Sequence, residues 1–107
     1  FSGESISDQE LMQIFEAARW APSAYNNQPW RFIYAKRGTP QWDTLFNLLV
    51  DFNKQWTHNA GALAVIVSQE KTESGRDMHT HSFDTGAAWQ NIALQSTAMG
   101  FVVHGMS

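Results

Sequence analysis

Pro22 and Pro29 constrain what the first third of this chain can fold into more than any other residues. Each fixes its own φ and removes a backbone donor, so neither sits inside a helix or a central strand. The residues before them, Ala21 and Gln28, are steered away from the right-handed helical region. Between them lies Ser-Ala-Tyr-Asn-Asn-Gln, and Trp30 follows directly. The expectation is a stiff, extended loop rich in side-chain donors and acceptors, placed between a helix and a strand. Residue types alone leave two readings open. One is an ordinary helix-to-strand turn. The other is a recognition loop, because polar groups beside a large aromatic are what a flat polar heterocycle needs.

The hydrophobic spacing around the loop predicts the remaining elements. Leu11, Ile14, Phe15 and Ala18 repeat at helical intervals, with Ser7 and Glu10 as a capping box, which predicts a first helix over 7–20. Alternating large residues predict a strand over 30–35. Thr39 and Pro40 read as the cap and first position of a second helix, carried by Trp42, Leu45, Phe46 and Leu49. That pattern loosens near Asp51. Residues 62–68 read as a short buried strand, and 69–80 as an exposed polar loop. A third helix is expected from Ser82 or Asp84 to about Met99, with Asp84 as its cap and Gly100 as its stop. Its apolar residues cover more than one face, which implies burial on two sides, the second by another subunit. Residues 101–104 read as a last short strand.

Composition removes several function classes. A chain of 107 residues is one domain at most, and its 43% hydrophobic and 16% charged content excludes wholesale disorder. A net charge of −3 gives no electrostatic case for nucleic acid or an anionic membrane. No apolar run approaches a membrane span and no signal-peptide pattern opens the chain, so a cytoplasmic protein is expected. The absence of cysteine rules out disulfides, thiolate metal sites and thiol catalysis. His79 and His81 form a His-x-His, with His58 and His104 elsewhere, yet no Cys or carboxylate spacing joins them into a metal site. His104 reads instead as a core or interface histidine. Ser23 lacks a nucleophile elbow, and the scattered glycines form no dinucleotide fingerprint. No catalytic side chain is assigned.

The run Ala-Arg-Trp-Ala-Pro-Ser-Ala-Tyr-Asn-Asn-Gln-Pro-Trp-Arg-Phe resembles the Pro-Ser-Ser/Ala-x-Asn-x-Gln-Pro-Trp-x-Phe signature of the nitroreductase family. A second stretch, Asp-Thr-Gly-Ala-Ala-Trp-Gln-Asn-Ile-Ala-Leu-Gln from Asp84 and on to Gly100-Phe101, is similar to that family's Asp-x-Gly-x-Ala-x-x-Asn helix. The resemblance implies an α+β, three-layer α/β/α fold with a mainly antiparallel sheet flanked by helices. It implies a homodimer with the third helix at its centre. It also implies FMN as cofactor and NAD(P)H as co-substrate.

Carried over by position, the resemblance has Pro22, Ser23 and Ala24 lining the flavin ring and Asn26 holding it. Asn53 falls where the family places an amide against the ring's pyrimidine edge. Gln28 reads as a brace within the loop. Many members have a second Ser where this chain has Ala24, which removes one side-chain hydrogen bond. The reaction implied is ping-pong. NAD(P)H gives a hydride to the flavin and leaves, and a nitroaromatic, quinone or similar flat small molecule then takes its place. The chain lacks an initiating Met and stops soon after the last predicted strand. It therefore reads as a partial FMN-binding domain over 1–107, without the family's N-terminal phosphate-binding segment and its C-terminal half, and so inactive by itself. A flavin-binding module without turnover and a dimerisation fragment are the alternatives.

Overall fold

The computed structural model describes residues 1–106. The fold is mixed α/β. In chain order it runs α1 (Asp8–Arg19), a 3-10 turn (Ala24–Asn26), β1 (Trp30–Lys36), α2 (Pro40–Phe46), α3 (Asp51–Thr57), β2 (Ala62–Ser68) and α4 (His81–Ala98). The two strands form one sheet. Arg37 donates its N–H to the carbonyl of Gly61, and Gln69 donates to that of Pro29. Pairing the end of one strand with the start of the other makes the sheet antiparallel. The same register sets Ile33 opposite Val65 and Ala35 opposite Leu63. Among the described residues, no helix is long and apolar enough to cross a membrane.

The chain divides into two compact units. The first comprises Phe1–Asp8 and Phe32–Val65. Its core is Ala35, Trp42, Ala60 and Leu63, with Leu45, Phe46 and Leu49 packed on it. Trp42 and Phe46 stack at 5.9 Å, as expected of side chains four apart on a helix. Phe1 stacks on Trp56, also at 5.9 Å. Arg37 clamps this unit, since its guanidinium donates to the carbonyls of Ala60 and Gly3.

The second helical pattern resolves into two helices rather than one that fades. After Phe46 the chain tightens, with Leu48 bonded to Leu45 and Leu49 to Phe46. Val50 is extended and precedes α3, which the sequence pattern does not reveal. Seven residues with Phe52 facing solvent carry no amphipathic signal. Thr39 does precede Pro40, but its hydroxyl donates back to the carbonyl of Lys36 at 2.7 Å instead of capping the helix. β2 has the expected bounds but is not a buried strand. Leu63 is buried, while Val65 and Val67 are exposed, as is Ile33 on β1.

The second unit comprises Gln9–Arg31 and Ile66–Ser107, of which residues up to 106 are described. Leu11, Ile14 and Ala18 form the buried stripe of α1. On α4 the buried residues are Asp84, Thr85, Ala88, Ile92 and Ser96, one turn after another. Asn91 ties the two helices, donating from Nδ2 to the carbonyl of Ala17 at 2.9 Å. One face of α4 is therefore covered, whereas Phe83 and Leu94 are 78% and 60% exposed. The helix ends as its sequence predicts. Gly100 takes φ +84 and Phe101 donates to the carbonyl of Ser96 at 2.8 Å.

Residues 101–104 are not a strand. Phe101, Val102 and Val103 have strand composition, but a strand needs a second strand to pair with, and among the described residues the sheet consists of β1 and β2. It leads instead to Gly105, whose backbone lies against the indole of Trp89. A Cβ there would meet Cζ2 at 3.2 Å.

Candidate functional site: the turn between the two prolines

The turn that Pro22 and Pro29 bracket is not extended. Tyr25, Asn26 and Gln28 all adopt positive φ, at 54°, 54° and 49°. That region is sterically disfavoured for residues with a Cβ. Local hydrogen bonds compensate. Asn26 donates its N–H to the carbonyl of Ser23 at 3.0 Å, and Asn27 to that of Ala24 at 3.1 Å. Ser23 Oγ accepts from the Gln28 N–H at 3.1 Å. The Gln28 amide in turn donates to Asn26 Oδ1 at 3.0 Å, the bracing role its sequence position suggests.

Two further groups fix the ends. At the exit, the Arg31 guanidinium donates to the carbonyls of Gln28 and Trp30 and to Gln69 Oε1. At the entrance, the Ala24 N–H donates to Asp84 Oδ2 at 2.9 Å. Asp84 Oδ2 also accepts from the Thr80 hydroxyl at 3.0 Å. Asp84 is thus not the cap of α4, which begins three residues earlier at His81. Its carboxylate reaches back along the chain to the turn. The signal for it is in the sequence, as the first residue of the second motif, but spacing alone gives no hint of its partner.

The turn offers polar and aromatic groups on its outer side. Asn26 and Gln28 line a hollow with Arg19, Trp20 and Ala21. Tyr25 is 88% exposed, with the Arg76 guanidinium 5.3 Å from its ring centre. Ser23 is half-buried. Because its oxygen accepts from Gln28, its own O–H remains a donor.

In the other unit, Asn53 sits half-buried on α3. Its backbone is engaged at both ends, by the carbonyl of Val50 and by the Thr57 hydroxyl. Its side-chain amide makes no hydrogen bond among the described residues.

The histidines contribute no cluster. His81 Nδ1 pairs with Ser68 Oγ at 2.8 Å, and His104 is exposed rather than a core residue. Among the described residues, no group of three or more His, Asp or Glu could hold a metal ion.

Comparison with known proteins bears on this geometry. The Nitroreductase family model matches residues 1–39, a span that ends just beyond the turn and β1. A protein of Archaeoglobus fulgidus, provisionally named NADH dehydrogenase/NAD(P)H nitroreductase, is 33% identical over 102 residues, 94% of this chain and 55% of that protein. A solved oxidoreductase containing FMN superposes with a TM-score of 0.95 at 40% identity, over 100% of this chain and 56% of that one. The chain has a nitroreductase-family fold. A provisionally named nitroreductase from Desulfovibrio desulfuricans, solved in complex with FMN, gives a TM-score of 0.73 at 28% identity over 90% of this chain and 54% of its own. The chain spans about half the length of the first curated relative it matches, 55%.

Within this nitroreductase fold, Pro22, Ser23, Ala24 and Asn26 fall together on one hydrogen-bonded turn. Asn53 belongs to the other unit.

Proposed function

We propose that the protein carrying this chain is an FMN-dependent oxidoreductase that passes electrons from NAD(P)H to nitroaromatic, quinone or similar flat acceptors by a ping-pong mechanism. FMN, when bound, supplies the electron transfer itself. The residues of this chain hold and orient it. Pro22, Ser23 and Ala24 line the ring, with the Ser23 O–H as a donor and Asn26 as a further polar contact. The half-buried Asn53 amide, which makes no hydrogen bond among the described residues, suits a ring edge that presents both donors and acceptors.

The observation that carries this reading is the turn. Three non-glycine residues are held at positive φ by a closed set of hydrogen bonds, and strain of this kind is retained at ligand sites. The likeness to the FMN-containing oxidoreductase supports it. The 107 residues form part of the flavin domain, and the phosphate is held by segments outside them. The whole is an α/β/α homodimer, with the uncovered side of α4 at its centre.

The test is a titration of the full-length protein with FMN, followed by fluorescence quenching, beside Ser23→Ala, Asn26→Ala and Asn53→Ala. Saturable quenching that each substitution weakens, with NAD(P)H consumed when a nitroaromatic is added, is the expected result. Absence of quenching by the wild-type protein would overturn the reading.

A further inference from the structure

We propose that Asp84 is a positioning residue for flavin binding: its carboxylate sets the orientation of the Ser23–Ala24 peptide and so aims the Ser23 hydroxyl at the ring. This rests on the FMN reading above and goes beyond it, because Asp84 itself does not touch the ligand.

Three observations converge. Asp84 is only 5% exposed, and a carboxyl group so buried needs hydrogen-bonding partners. It has them in the Ala24 N–H and the Thr80 O–H, at 2.9 and 3.0 Å. It also lies in the first turn of α4, where the helix dipole favours a negative charge. A charged acceptor makes the Ala24 contact stronger than an ordinary amide–carbonyl bond.

The second observation is where that bond lands. The Ala24 N–H belongs to the peptide that Ser23 begins, immediately before Tyr25 and Asn26 enter the left-handed region. Hydrogen bonds inside the turn link 23 to 26, 24 to 27 and 23 to 28, so they fix its shape. They do not fix where the turn points. The Asp84 bond does that, joining the turn to a residue 60 positions away.

The third is the contrast with the exit. There Arg31 grips the carbonyls of Gln28 and Trp30 at the surface, whereas the entrance is held by a buried anion. Removing the anion releases the end of the turn that carries Ser23 and leaves the other end in place.

The experiment uses the full-length protein with Asp84→Ala, Asp84→Asn and, as a control, Asn91→Ala, which removes a different link between α4 and the N-terminal segment. Asp84→Ala is expected to weaken FMN binding about ten- to a hundredfold and to shift the visible spectrum of bound flavin. Asp84→Asn keeps an oxygen that can accept from Ala24, and is expected to restore affinity to within about threefold. Asn91→Ala is expected to lower the Tm while leaving affinity and spectrum unchanged. Wild-type affinity in Asp84→Ala, or an equal loss in Asn91→Ala, would overturn the proposal.

Amide exchange in the flavin-free protein provides a readout independent of the ligand. The Ala24 amide is expected to exchange slowly in the wild type and fast in Asp84→Ala. A fast wild-type Ala24 amide would refute the tether even if Asp84→Ala does not fold. A protected Ala24 amide in a protein that never quenches FMN would instead uphold the tether and sink the flavin reading.

Discussion

Gly61→Ala sets two effects of opposite sign against each other, and the structure decides between them. Gly61 precedes β2, and its carbonyl accepts from the Arg37 N–H at 2.9 Å. A Cβ added there would meet the Glu4 carbonyl oxygen at 3.0 Å, the Ile6 nitrogen at 3.4 Å and Ile6 Cγ2 at 3.5 Å. The two nearest atoms are backbone, so no side chain can swing away. Arg37 anchors both sides of the contact, through Gly3 and through Ala60, which restricts how far either can retreat. Overpacking of this kind costs about 1–3 kcal/mol. Against it, alanine lowers the conformational entropy of the unfolded chain, a gain of about 0.4–1 kcal/mol. The net expectation is a loss of roughly 0–2.6 kcal/mol, centred on about 1.3 kcal/mol. In a domain of 150–250 residues each kcal/mol moves the Tm by roughly 2–4 °C. Calorimetry of the full-length protein should therefore show Gly61→Ala melting several degrees below wild type. An unchanged or raised Tm would show that residues 4–6 yield freely, and that the close approach does not require glycine.

Gly86→Ala should act in the opposite direction. It lies inside α4 with nothing among the described residues within 4 Å of the added Cβ, so helix propensity alone predicts a gain of about 1 kcal/mol. A fall in Tm, or a shift toward monomer in sedimentation, would mean that a partner covers this face. The Lys36–Asp8 ion pair, 2.8 Å long with Asp8 84% exposed, should matter little. Lys36→Met is expected to change stability by less than about 1 kcal/mol in urea melts, and a larger loss would contradict that reading.

The elements legible in the sequence are those whose signal is local. α1 is predicted by its apolar stripe, β2 by its run of β-branched residues, and the end of α4 by Gly100. α3 was not legible, because Phe52 points outward and seven residues are too few to show a period. Residues 101–104 have strand composition without a strand, since a strand depends on a neighbour that composition does not report. In the turn, Pro22 and Pro29 correctly mark its limits. Asn26 is of a type that visits the left-handed region readily, but nothing in the sequence marks Tyr25 and Gln28 for it, and their positions are set by the bonds of the folded turn. Asp84 illustrates the same limit. At a helix start its residue type suggests a cap, and only the folded chain shows Ala24 within its reach.

That reach also orders events in time. The bond between Ala24 and Asp84 closes a stretch of 60 residues, and closure over such a length carries an entropic cost that adjacent turns do not. Contacts so distant in sequence form late, after helices and tight turns. The turn therefore acquires its final aim only when α4 has been made and has settled against it. During synthesis the turn leaves the ribosome long before Asp84 does, and stays untethered until then. Loss of the Asp84 tether should accordingly be read in the rate of unfolding, with the rate of folding almost unchanged.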